Sequence, residues 1–76
     1  MRMISDHTFG GCRFREFTYD EATVSCVENW AGKRMIAVSP SLPSSRKVAM
    51  KLGIDLSKPY KSFSARGTDF YMQDVA

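Results

Sequence analysis

A chain of 76 residues supports a single domain, 1–76, and excludes a multidomain machine. Its 43% apolar content, with five Phe, argues for a packed core against disorder. A net charge of +3 with a pI near 9.1 permits contact with nucleic acid or an acidic protein face and requires neither. A chain this short buries only roughly 60–65% of the surface its unfolded form exposes, so a partner or a second copy would add stability.

Met1 to Thr8 reads as a short strand or an irregular lead-in, broken by Gly10-Gly11. Cys12 to Thr18, CRFREFT, has strand composition, with Phe14 and Phe17 on opposite sides and Arg13 and Arg15 sharing a face, read as the wet one.

Tyr19 to Ala31 supports two readings. As a helix, Thr18 is the N-cap and Glu21 stands at the capping-box spacing, with Asp20 and Glu21 in the first turn and Gly32 as the stop. As a strand, Ala22-Val24-Cys26 alternates with Thr23-Ser25-Val27, and the β-branched content favours extension. The caps at both ends favour the helix.

Lys33 to Ser39, KRMIAVS, is the clearest strand, stopped by Pro40. A helix is predicted over 42–52: Ser41 is the N-cap, Pro43 falls in the first turn, and Gly53 ends it with Ile54 folding back. Leu42, Ser45, Val48, Ala49 and Leu52 share its inner face, and Arg46, Lys47 and Lys51 its outer one. Tyr60 to Ser64 and Phe70 to Val75 read as a β-hairpin around Ala65-Arg66-Gly67-Thr68, with Phe63, Phe70 and Met72 turned inward.

The resulting order is β-β-α-β-α-β-β. The fold class expected is α+β: a mixed or mostly antiparallel sheet with one or two short helices, 19–31 and 42–52, packed on one face. If 19–31 is extended, a three-stranded meander, one helix and a hairpin result.

The run Val48-Ala49-Met50-Lys51-Leu52-Gly53-Ile54 resembles the first helix and turn of helix-turn-helix DNA-binding domains. There a small Ala permits close helix approach and Gly makes the turn. The resemblance covers one helix. A recognition helix should follow, and Pro59 would fall inside it, at a cost of roughly 3 kcal/mol.

The residues offer little for catalysis. His7, Cys12 and Cys26 are the only soft metal ligands, and they lack the spacing of a zinc site. Asp20 and Glu21 are adjacent, not facing, and Gly10-Gly11 is not a phosphate loop. No catalytic residue, metal or cofactor is assigned, and an enzyme is not expected.

The candidate binding surface is basic with an interleaved aromatic: Arg46, Lys47, Lys51, Lys58, Tyr60, Lys61 and Arg66. The competing reading is a set of solvated charges. Tyr60 or Trp30 would anchor a partner if exposed, and the edge of the C-terminal hairpin is a second candidate.

The function expected is a non-catalytic interaction protein that binds and modulates or inhibits a larger macromolecular complex. Phages and mobile elements use proteins of this kind against host or defence machines. The alternative is a small DNA- or RNA-binding protein using the basic helix 42–52. The partner would be a protein or nucleoprotein complex. Direct nucleic-acid contact and a homodimer are compatible with the charge and size, and a membrane is not expected. MRMISDHTFGG has no apolar h-region, so the location expected is cytoplasmic, with reduced thiols.

Overall fold

Four two-residue turns shape this chain. Gly10-Gly11, Ala31-Gly32 and Arg66-Gly67 each place both central residues at positive φ, the conformation whose twist matches a tight hairpin. Asp20-Glu21 makes the fourth, with Asp20 at φ 53°. In the computed structural model, which describes residues 1–75, these turns join β1 (Arg2–Phe9) to β2 (Cys12–Tyr19), β2 to β3 (Ala22–Trp30), β3 to β4 (Lys33–Ser39), and β5 (Lys61–Ala65) to β6 (Thr68–Asp74). A single seven-residue helix, α1 (Ser45–Lys51), lies between β4 and β5 among the described residues.

Every strand pairing is antiparallel, in the order β1-β2-β3-β4-β6-β5. The excursion through α1 carries the chain past the β6 position, so β5 forms the outer edge and β6 returns beside β4.

The α+β expectation is therefore corrected. This is a small sheet-dominated domain with one short helix, not a sheet with helices 19–31 and 42–52 on one face. Within 19–31 the structure holds the end of β2, the Asp20-Glu21 turn and β3. The acidic pair that imitates a helix first turn is a hairpin turn. Thr18, read as its cap, pairs with Thr23 across that hairpin. Thr23, Val24 and Val27 fit a pleated surface, and pairing on both sides of β3 decides the contest.

The second helix is shorter than expected. Ser44 occupies the N-cap position without a side-chain cap bond. Ser41 instead donates its hydroxyl to Asp69 Oδ1 at 3.0 Å and its amide to the Gly67 carbonyl at 2.7 Å. It fastens the loop to the β5–β6 turn, and the helix starts one turn later. The C-terminal end follows the sequence reading: Gly53 N–H donates to Met50 O and Ile54 N–H to Ala49 O, both at 3.1 Å. Gly53 stands at φ +114°, where a side chain is strained, and a Cβ there would have to displace the Arg34 guanidinium.

The two faces of the sheet differ. On the covered face, the register lines up Phe17, Val24 and Val38 in one row and Arg15, Cys26, Ile36 and Tyr71 in the next. Val48, Ala49 and Ile54 close over them to form the buried cluster. Two buried polar residues are satisfied there. Ser45 and Tyr71 share a 2.6 Å hydroxyl bond. Gln73 accepts from Asp55 N–H at 2.8 Å and donates to Asp55 O at 2.6 Å. Among the described residues, no element covers the other, open face.

Candidate functional site: the open face of the sheet

The seven basic and aromatic residues singled out in the sequence do not share one surface. Arg46, Lys47 and Lys51 are exposed on α1, and Lys51 Nζ sits 5.6 Å from the Tyr19 ring centroid. Lys58 is exposed in the loop after the helix. Tyr60 packs against the buried cluster and is not a free anchor. Lys61 pairs with Met72 and so belongs to the open face, opposite α1. Arg66 forms the β5–β6 turn. The resemblance to helix-turn-helix domains also ends at α1: the chain enters turns over 55–58 and then β5, with no second helix among the described residues.

What the fold does bring together is apolar. Strand alternation and register place Phe9, Phe14, Trp30, Phe63 and Phe70 on the open face, that is, four of the five Phe and the one Trp. One row crosses all six strands: His7, Phe14, Val27, Met35, Met72 and Lys61. The neighbouring row ends in Ala37, Phe70 and Phe63. Phe63 is 52% exposed and Trp30 54%, while Phe14, Val27, Met35, Phe70 and Met72 are half-buried by their neighbours alone. The sequence expectation that Phe63, Phe70 and Met72 face the core is corrected. Tyr71 and Gln73, one residue out of phase, do so.

The rings stand in cross-strand pairs. His7 and Phe14 stack at 5.3 Å between centroids, and Phe63 and Phe70 at 4.9 Å. Rings this close and nearly parallel are offset-stacked between neighbouring strands, while Phe9 and Trp30 stand largely exposed.

Charge on the open face is sparse. Lys33 is bonded to Asp74 at 2.8 Å, which holds the Asp74 carboxyl below the usual carboxylate range. Among the described residues, Lys61 and Arg2 have no ion-pair partner at hydrogen-bonding distance. At the β4–β6–β5 corner, Lys33, Pro59, Tyr60, Lys61 and Met72 border an open groove of about 340 Å³.

The covered face carries an ionic cluster beyond the helix. Arg13 forms a two-pronged pair with Asp6 at 2.7 and 3.0 Å. Arg15 bonds Glu28, and Arg34 Nε approaches the same carboxylate at 3.6 Å. Arg34 also donates to the Gly53 carbonyl at 2.7 Å, tying the end of α1 to β4. Arg13 and Arg15, read from the sequence as sharing the wet face, do share a face, but it is the covered one, and Arg15 is largely sheltered. These cations are committed to structure.

Cys12 lies half-buried on the open face, and Cys26 is fully buried on the covered one, its thiol pushed up by burial. Opposite faces of one sheet keep them from bridging. Among the described residues, no three His, Cys, Asp or Glu side chains gather where they could hold a metal ion, and no helix is long and apolar enough to cross a membrane. The sequence held one usable signal for the open face: Phe and Met concentrated at alternate positions of the β-forming segments. No protein family, curated protein or solved structure matches this chain.

Proposed function

We propose that this chain is a non-catalytic binding protein that docks onto a larger macromolecular complex through the open face of its sheet and modulates or inhibits that complex by covering part of its surface. The observation that carries this reading is the placement of four Phe and Trp30 on a face that no other element shields among the described residues. An uncovered apolar patch of this breadth favours a protein interaction site. The scarcity of cations on this face favours a protein surface as the occupant. Lys61 and Arg2 suit acidic groups at the rim of an otherwise apolar target. Two thiols held apart on opposite faces suit a reducing, cytoplasmic setting.

The test is differential capture from nuclease-treated host lysate. Met35→Lys puts a charge at the centre of the open face, and the paired Lys47→Glu, Lys51→Glu variant reverses charge on α1. A stoichiometric protein retained by wild type and the α1 variant but lost with Met35→Lys supports the reading. Equal capture by all three, or no stoichiometric protein, overturns it.

A further inference from the structure

The sheet has two edges, and they are built differently. On β1 the register slips between Met3 and Ser5, and Asp6 is tied to Arg13. Bulges and fixed charges of this kind interfere with pairing by another strand. The other edge, β5, runs Lys-Ser-Phe-Ser-Ala in unbroken register with β6, and all five residues are exposed. It contains no proline, and Lys61 is its single charge.

We propose that β5 pairs antiparallel with β5 of a second copy of this chain, joining two six-stranded sheets into one. The register follows from the backbone. A two-residue turn makes its flanking residues, Ala65 and Thr68, a hydrogen-bonded pair. Alternation then directs the amides of Phe63 and Lys61 toward β6 and those of Ser62 and Ser64 outward. A two-fold axis beside Phe63 sets Ser62 of each copy against Ser64 of the other, giving four new backbone hydrogen bonds. Phe63 meets Phe63 at the closer, non-hydrogen-bonded position.

The side chains agree with that register. Phe63 already stacks on Phe70, so the join extends the ring stack across the new seam on the open face. Lys61 faces Ala65 of the second copy. The two lysines then sit four residues apart, about 14 Å along the strands, which is beyond a Debye length at physiological salt. An axis beside Lys61 would set like charges directly opposite. An axis beside Ala65 would run the pairing into the turns. Five-residue edges bury less than a standard interface, so the dimer is weak and reversible.

Sedimentation across a concentration series measures the association. Wild type is expected to move from monomer to dimer as concentration rises, and Phe63→Lys, with an unchanged circular dichroism spectrum, to stay monomeric. In a Cys12→Ser background, Phe63→Cys should form an oxidised dimer quickly, because the two sulfurs meet at the axis, and Ser62→Cys should not. Met35→Lys should still dimerise, which separates this seam from stacking through the open face and from target docking. A wild type that stays monomeric throughout, a Phe63→Lys protein that dimerises normally, or equal trapping of the two cysteine variants overturns the proposal.

Discussion

Gln73 is 7% exposed, and its side chain holds the loop between α1 and β5. Its Oε1 accepts from Asp55 N–H at 2.8 Å, and its Nε2 faces the carbonyls of Asp55, Pro59 and Lys58 at 2.6, 3.4 and 3.5 Å. Gln73→Leu preserves most of the volume and removes both short bonds. At about 1 kcal/mol net per bond, with part of the freed loop backbone rehydrated, the expected loss is roughly 1–3 kcal/mol. A domain of this length holds only about 4–11 kcal/mol in total. The corresponding fall in Tm is roughly 5–20 °C.

Gln73→Glu is the sharper perturbation. It replaces a donor with an acceptor facing three carbonyl oxygens. Burial and that repulsion raise the folded-state pKa of the new carboxyl above its unfolded value of about 4.3. A raised pKa gives stability that is complete below the unfolded value and lost as pH rises through the folded one. The deficit of Gln73→Glu relative to wild type should therefore be small near pH 4 and largest at neutral pH, while that of Gln73→Leu stays flat. Thermal denaturation followed by circular dichroism at several pH values measures both. A Gln73→Leu protein within about 0.5 kcal/mol of wild type, or a Gln73→Glu deficit that does not grow with pH, refutes the assignment of Gln73 as the loop anchor.

Ile36→Ala, at a fully buried position, should cost about 2–5 kcal/mol in a denaturant titration; Phe63→Ala should cost clearly less, because half of that ring is already in water. Hydrogen bonds from Ser64, Ser45 and Ser41 hold Asp69 low, and Ser57, Lys33 and Arg13 do the same for Asp55, Asp74 and Asp6. Depressed carboxylates lend stability above the ordinary carboxylate range that is lost as pH falls through their lowered values, so Tm should drop below about pH 4, and less steeply in Asp69→Asn. A thiol reagent should modify Cys12 in the native protein and reach Cys26 only on unfolding, since Cys26 is fully buried and its thiol is raised; rapid double labelling of the native state would contradict the core assignment.

Local chemistry made some of this fold readable. Arg66-Gly67 announced one hairpin, Gly10-Gly11 read only as a break where a second hairpin turns, Lys33 to Ser39 was bounded correctly, and Gly53-Ile54 closed the helix as its sequence indicates. The 19–31 segment misled because Asp20-Glu21 suits both a helix first turn and a hairpin turn, and only the pairing of β3 on both sides distinguishes them. The open face was hidden for a related reason. Whether Phe70 or Tyr71 faces the core depends on one residue of register against β4, and both are aromatic. The basic residues were visible as residues, yet the crossover sends Lys61 to one side of the sheet and Arg46 to the other. Sequence proximity could not show that separation.

The unequal connections have a consequence for how the molecule comes together. β1 to β4 are joined by two-residue turns, so each added strand closes a very short loop and the meander can zip up progressively. The β5–β6 ribbon reaches β4 only after a long excursion, so its ladder there closes late. The edge strands β1 and β5, each exposed and paired on one side, should exchange their amides fastest, and β3, flanked by β2 and β4, slowest.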